Sequence, residues 1–267
     1  MRTLEITSLQ NSKIKQLVRL KERRERERSQ LFLIEGYREL SRAITANAQI
    51  ESLFFCPELF LGENENSLIQ TIANKNSSIF ILPKSLFEKV SYRDRPDGLI
   101  AIAHQKHLNL DDIKLSKNPF LVVAEAIEKP GNLGTILRTC DGVGADGLIL
   151  CDRCTDLHNP NTVRASVGTL FTVPVYEATS IDTIAFLKKQ RISVVATTPD
   201  AASCYTETDL SGPIALILGT EQLGLSEQWI ESADKRISIP MKGVADSLNV
   251  AVATALTLYE ALRQRGS

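Results

Sequence analysis

No stretch of this sequence approaches the roughly 18 consecutive apolar residues that a membrane-spanning helix needs. The N-terminus, Met1-Arg2-Thr3-Leu4-Glu5-Ile6, has no apolar signal core either. These two absences predict a cytoplasmic protein with no membrane partner. Histidine is scarce, at three residues, and the five cysteines are an odd number in a chain of 267. They read as reduced thiols, not as a disulfide framework. Cys151 and Cys154 form a C-x-x-C with His158 close by, but a structural zinc site needs a second ligand pair at suitable spacing and none is visible. No carboxylate or cysteine cluster accompanies His104 and His107, so no metal is expected. The Walker A pattern is missing, which disfavours an NTPase. A nucleophile–histidine pair is missing too, which argues against a hydrolase. The formal net charge is −1, so no global positive field advertises nucleic acid. Internal repeats and low-complexity tracts are absent.

The composition that remains is ordinary for a globular protein: 43% hydrophobic and 24% charged residues. The length suits one large domain or two modest ones, and the halves differ in texture. Residues 1–103 read as a small α/β domain. A charged helix is followed by strands at 31–34, 52–56, 78–82 and 99–103, with helices at 36–46 and 67–74 between them. Residues 104–118 are polar, precede Pro119 and read as an interdomain linker. Residues 119–267 carry apolar runs at 120–124, 147–150, 172–175, 192–196, 214–218 and 236–239, with helical patterns between most of them. That alternation predicts a mainly parallel sheet flanked by helices. Leu248, Val252, Ala255, Leu256, Tyr259 and Leu262 recur at helical spacing and predict a long closing helix.

One short segment departs from electroneutrality. Between residues 11 and 28 lie Lys13, Lys15, Arg19, Lys21, Arg23, Arg24, Arg26 and Arg28, against Glu22, Glu25 and Glu27, a net +5. Such a run either grips phosphates or forms a solvated helix with i,i+4 pairs such as Glu22 with Arg26. Charge alone does not decide between them.

Gly142-Val-Gly144-Ala-Asp-Gly147 matches G-x-G-x-x-G. A dinucleotide fingerprint needs a strand before the glycines and a helix after them. Here the order is reversed, because 133–141 reads as a helix and 148–150 as a strand. The glycines are expected at a helix C-terminal end, in the left-handed cap conformation.

Three segments share a grammar of strand, glycine- or proline-bearing turn, then helix. The first is Glu128-Lys-Pro-Gly-Asn132-Leu-Gly134-Thr-Ile-Leu-Arg138-Thr, with Asn132 expected as the N-cap and Arg138 in the second helical turn. The second is Leu216-Ile-Leu218-Gly219-Thr-Glu221-Gln-Leu-Gly224-Leu-Ser226, where two glycines bracket a carboxylate and Ser226 is expected to cap a helix. That spacing suggests backbone wrapped closely around a ligand. The third runs from Ile237 through Ile239-Pro-Met241 to Ser247-Leu248-Asn249, with Ser247 expected as N-cap. Capping explains Ser247 but not the asparagine two residues on. Loops at the carboxyl ends of parallel strands form the usual ligand crevice of open α/β sheets. A site of Arg, Glu, Ser and two Asn favours group transfer, in which positioning dominates.

These motifs resemble those of the SpoU, or TrmH-like, ribose 2′-O-methyltransferases of the SPOUT superfamily. Asn132-Leu-Gly-x-x-x-Arg138-Thr is similar to their first motif, Gly219-x-Glu221-x-x-Gly224-Leu-Ser to the second, and Ile239-Pro-Met…Ser247-Leu-Asn249-Val-x-x-Ala253 to the third. The order and spacing match over about 140 residues. Phe32-Leu-Ile-Glu35-Gly36-x-Arg38 and Pro96-Asp-Gly98-Leu-Ile-Ala resemble the start and end of a substrate-binding domain with a ribosomal-protein L30-like fold. Glu128-Lys-Pro-Gly stands where an Asp-Pro pair is usual, and Gln222-Leu223 where the family often has Gly.

The resemblance implies a C-terminal trefoil knot, a homodimer with an active site built from both chains, and S-adenosylmethionine as cofactor. It implies cofactor contacts from Thr197, Leu218, Gly219, Gly224, Ile239, Leu248 and Asn249. Arg138 would act on the ribose 2′-hydroxyl, supported by Asn132, Glu221, Ser247 and Asn249. Either it is a base with a lowered pKa, or it orients the hydroxyl and stabilises alkoxide charge. It also tilts the basic segment toward RNA contact through Lys13, Lys15, Arg23 and Arg24, together with Arg38. The implied substrate is 23S ribosomal RNA. Transfer RNA, an antibiotic-resistance role on ribosomal RNA, and a non-catalytic RNA-binding module with a decayed site are the alternatives.

Overall fold

The computed structural model describes residues 3–153, 155–220 and 223–266, which form two compact units. One unit holds the chain up to Lys106 and then takes in Asp156–Thr172. Its elements are β1 (Thr3–Glu5), α1 (Ser12–Arg19), α2 (Arg23–Ser29), β2 (Leu31–Glu35), α3 (Tyr37–Thr45), β3 (Ile50–Phe55), α4 (Glu65–Ala73), β4 (Ser78–Ile81), α5 (Lys84–Val90) and β5 (Leu99–His104). The sheet order is β1-β4-β3-β5-β2, with β5 antiparallel to both neighbours. Strand alternation splits the buried residues between two faces. Leu31, Leu33 and Ile100 join Ile14 and Leu17 of α1 and Phe87 of α5. Phe32, Ile34 and Leu99 join Leu40 of α3 and Ile72 of α4. The later segment adds a helix whose Val163 enters this second core.

The charged stretch divides into α1 and α2, and its Arg26 does not pair with Glu22. Arg26 is 1% exposed, its Nη2 lies 2.7 Å from Asp156 Oδ2, and it donates to the carbonyls of Leu20 and Lys21. A guanidinium removed from water needs this full set of acceptors.

The other unit holds His107–Thr155 and the chain from Val173 onward. Its sheet and helices are β6 (Phe120–Glu125), α6 (Pro130–Val143), β7 (Gly147–Cys151), then, after α7 (Pro160–Ser166) of the first unit, β8 (Val175–Ala178), α8 (Ser180–Gln190), β9 (Ser193–Thr197), β10 (Ser203–Cys204), β11 (Ile214–Leu218), α9 (Glu227–Ser232), β12 (Lys235–Ser238) and α10 (Val250–Gln264). All seven strands are parallel, in the order β10-β12-β9-β11-β6-β7-β8. Both faces are covered, which explains why β6, β7 and β11 are buried along their whole length.

Three local features differ from the sequence expectation. The segment expected as a linker carries Leu108, Leu110, Ile113 and Leu115, which pack against this unit's core. The run at 172–175 is mostly a turn and the strand starts at Val175, because Pro174 has no N–H for the ladder and offers only its carbonyl, to Leu148 N. Helix α6 starts at Pro130, so Asn132 lies inside the first turn and is not the cap. At its other end Gly144 takes φ +66, the left-handed cap expected of the glycine-rich stretch.

Candidate functional site

Strands β9, β11 and β12 are neighbours in the sheet, and the loops leaving their carboxyl ends surround a cavity of about 1010 Å³. Its wall includes Thr197 at the end of β9, Leu218 at the end of β11 with Gly219 and Gly224 after it, and Ile239, Met241, Ser247 and Leu248 after β12. A crevice beyond the carboxyl ends of parallel strands is where the topology of an open α/β sheet leaves room for a ligand.

The loop after β11 closes on itself. Thr220 N donates to Gly224 O at 2.9 Å, and Gly224 N donates back to Thr220 O at 3.2 Å. A Cβ on Gly219 would lie 2.3 Å from the Gly224 carbonyl carbon, so only glycine permits this approach. Gly224 itself has φ +69. The loop's far end is held by β6, where the buried Glu125 accepts from Ser226 N at 2.9 Å through Oε2. Ser226 takes the N-cap position of α9 without a side-chain cap bond. Behind the loop, the fully buried Trp229 of α9 donates its indole N–H to Ser180 Oγ at 2.9 Å. Glu221, the carboxylate expected between the glycines, lies outside the described residues.

The third junction ends in α10, whose N-cap is Asn249, not Ser247. Asn249 Oδ1 accepts from Ala251 N at 3.0 Å, which leaves its Nδ2 as donor, and Nδ2 meets Asn132 Oδ1 at 3.2 Å. The cap therefore fixes both amides. Asn132 Nδ2 is buried and has no hydrogen-bond partner among the described residues. Ser247, released from capping, lines the cavity with Leu248.

Among the residues expected to bind a cofactor, Thr197, Leu218, Gly219, Gly224, Ile239 and Leu248 line this cavity, and Asn249 turns its side chain to Asn132. The Thr197 hydroxyl is buried and has no hydrogen-bond partner among the described residues. Sequence reasoning missed Asp200, Arg236 and Asp246 in the wall; Asp200 and Arg236 are isolated charges outside the three segments, and Asp246 lies inside the third, where only Ser247, Leu248 and Asn249 were singled out. Arg138 is exposed on α6, about 9 Å along the helix axis from Asn132. Helix α6 packs on α10, where Val252, Leu256 and Tyr259 form an exposed apolar stripe, 48%, 38% and 53% accessible.

The expected RNA contacts divide. Lys15, Arg24 and Arg38 are exposed. Lys13 Nζ is drawn to Glu51 at 3.2 Å, and Arg23 pairs with Glu27 at 2.7 Å. Cys151 is buried, with burial pushing its thiol up to about 12, and its Sγ lies 3.2 Å from Thr183 Oγ1. Cys154 lies outside the described residues. Among the described residues no group of three or more His, Cys, Asp or Glu side chains is placed to hold a metal ion.

Residues 119–259 match the model of the SpoU rRNA Methylase family, and residues 11–101 match that of an MRM3-like substrate binding domain. The chain is 31% identical over 249 residues to the 23S rRNA (uridine(2479)-2′-O)-methyltransferase of Streptomyces viridochromogenes, covering 91% of this chain and 86% of that protein. It is 29% identical to the 23S rRNA (guanosine(2553)-2′-O)-methyltransferase RlmP of Bacillus subtilis (strain 168), over 96% of this chain and 98% of that one. Among solved structures, an AdoMet-bound rRNA methyltransferase from Sinorhizobium meliloti superposes with a TM-score of 0.90, at 31% identity over 99% of both chains.

Proposed function

This chain belongs to the SpoU rRNA methylase family, and on that premise we propose that it transfers a methyl group from S-adenosylmethionine to a ribose 2′-hydroxyl of 23S ribosomal RNA. The observation that carries the reading is the Asn132–Asn249 bridge beside the cavity. It joins the first motif to the third across 117 residues, as one shared site requires.

The cavity fits the cofactor chemically. Leu218, Ile239, Met241 and Leu248 supply apolar walls, the glycines at 219 and 224 leave backbone groups accessible, and the buried Thr197 hydroxyl is available to a polar edge. When bound, S-adenosylmethionine supplies a methyl group on a positively charged sulfur. The chain's own part is to position. Asn132 and Asn249, joined by their side-chain bridge and fixed by the α10 cap, hold the site's edge in place for the RNA sugar. Ser247 lies between the cavity and that cap, and Glu221 is assigned a supporting role with them. Guanidinium chemistry favours an orienting role for Arg138: it holds the 2′-hydroxyl in line and stabilises the negative charge that develops on its oxygen. Positioning of this kind supplies most of the rate when the electrophile is already activated.

We assign a homodimer, with Arg138 serving a site built by both protomers. The apolar stripe of Val252, Leu256 and Tyr259 on α10 supports this assignment, since it flanks the helix that bears Arg138. The parallel order of β12, β9 and β11 followed by α10 supports a C-terminal trefoil knot. We assign RNA binding to residues 1–103 and the chemistry to residues 119–267, in the cytoplasm; of the 104–118 segment, Leu108, Leu110, Ile113 and Leu115 pack with the second unit, and Asp156–Thr172 is grouped with the first. Transfer of labelled methyl from S-adenosylmethionine to protein-free 23S rRNA tests the reading. A chain that binds RNA but shows no calorimetric affinity for S-adenosylmethionine would instead be a non-catalytic RNA-binding module.

A further inference from the structure

A second cavity, of about 440 Å³, lies wholly within the N-terminal unit, at the junction of β2 and α3. Its frame is a set of charged side chains already committed to one another. Gly36 precedes α3 with φ +111 and offers no capping side chain, so Asp97 takes over: its Oδ2 accepts from Tyr37 N at 2.8 Å. Glu39, only 4% exposed, pairs with Arg93 at 2.6 Å. Glu35 accepts from the amides of Tyr92 and Arg93 at 2.8 and 3.2 Å. A Cβ on Gly36 would lie 2.5 Å from Glu39 Oε2 and 2.6 Å from Arg93 Nη1, so the ion pair and the backbone are pressed together.

Two atoms of this frame remain unused. Arg93 Nε and Asp97 Oδ1 are buried and have no hydrogen-bond partner among the described residues. Native proteins rarely leave such groups unsatisfied, because each carries its full desolvation cost. Both residues line the cavity, together with the half-buried ring of Tyr37 and the exposed Arg38. The wall thus combines two side chains with hydrogen-bonding capacity left over, an aromatic residue and a cation. Every nucleobase presents an acceptor beside a donor on its edge and a face that stacks, and it carries a phosphate outside. The volume is of the order that a single small ligand fills. A cation is a poorer match, since Glu39, Glu65 and Asp97 each already receive an internal N–H, from Arg93, Gly62 and Tyr37.

We propose that this cavity binds one unstacked nucleotide of the RNA substrate, with Asp97 and Arg93 reading the base edge, Tyr37 stacking on the base and Arg38 holding a phosphate. The inference rests on the reading of the chain as an RNA methyltransferase. The test uses the full chain and protein-free large-subunit rRNA, with Asp97→Asn and Tyr37→Leu as variants. Asp97→Asn keeps an oxygen for the Tyr37 amide and replaces the unused acceptor with an NH2 donor. Both variants should bind rRNA about 10-fold or more weakly, from lost stacking or edge contact, with calorimetric S-adenosylmethionine affinity unchanged. Amide hydrogen exchange over α3 and β5 reports separately that the N-terminal unit of each variant is folded. Wild-type protein with no rRNA affinity overturns the proposed function and this inference with it. Wild-type binding that both folded variants reproduce in full overturns this inference alone.

Discussion

Asn249 donates from Nδ2 to Asn132 Oδ1 at 3.2 Å while its own Oδ1 caps α10 through Ala251 N. One side chain thus does two separable things. Asn249→Ser keeps a capping oxygen and loses the bridge, whereas Asn249→Ala loses both. Urea denaturation should show the alanine variant less stable than the serine variant by about 1 kcal/mol, the usual worth of an N-cap. Methyl transfer should be lost in both. A serine variant with wild-type turnover would mean that the bridge has no part in the site.

Gly219 faces Gly224 so closely that a Cβ would overlap the carbonyl at 2.3 Å. Backbone cannot yield as a flexible side chain can. Gly219→Ala should therefore open the loop and abolish S-adenosylmethionine binding in calorimetry. Thr197→Val, which removes only the buried hydroxyl that has no partner among the described residues, should weaken binding by about 10-fold, the scale of one lost hydrogen bond. If Thr197→Val binds as well as wild type, the hydroxyl does not face the cofactor.

Arg26 and Asp156 form an ion pair with side chains only 1% and 4% exposed. Removing one partner leaves the other charged and buried. Arg26→Leu should cost about 3–5 kcal/mol in urea denaturation, and adding Asp156→Leu should recover part of that loss. Equal stability of the single and double variants would show that the carboxylate finds another partner.

Burial holds the thiols of Cys140 and Cys151 at about 12, against an ordinary value of 9.0. At pH 8 neither supplies a useful fraction of thiolate. Iodoacetamide should leave both unmodified in the native protein, by peptide mass spectrometry, and label both in denaturant. The same shifts make stability fall as pH rises from about 9 toward 12, because the unfolded thiol ionises first. Rapid native labelling of either residue would contradict its burial.

The strands were legible because their apolar runs are long and bounded: 214–218 was read residue for residue. Gly144 was legible because a glycine after a helical pattern has few other uses. Caps were less so. Ser247 and Asn249 are both good capping residues two positions apart, and nothing local decides between them; the choice of Asn249 follows from its contact with Asn132, a residue far off in sequence. Asn132 itself was displaced from the cap by Pro130, whose fixed φ suits the first helical position. The inclusion of Asp156–Thr172 in the first unit was invisible, since it is held by partners distant in sequence: Asp156 meets Arg26 across 130 residues, and Val163, Leu170 and Phe171 join the core built from residues 32–103. The cavity wall was readable where glycines and small polar residues formed motifs. It was opaque at Asp200 and Arg236, which are ordinary charges until the fold gathers them.

The most direct measurement is ribose-methylation mapping of protein-free 23S rRNA incubated with S-adenosylmethionine and either the wild-type chain or Arg138→Ala. Arg138 is exposed on α6, so its truncation should leave stability and S-adenosylmethionine affinity intact. The expected result is a defined 2′-O-methylated nucleotide with the wild type and none with the variant. An Arg138→Ala variant that methylates at the wild-type rate would contradict the role assigned to this side chain, and a wild-type chain that methylates no ribose would contradict the account as a whole.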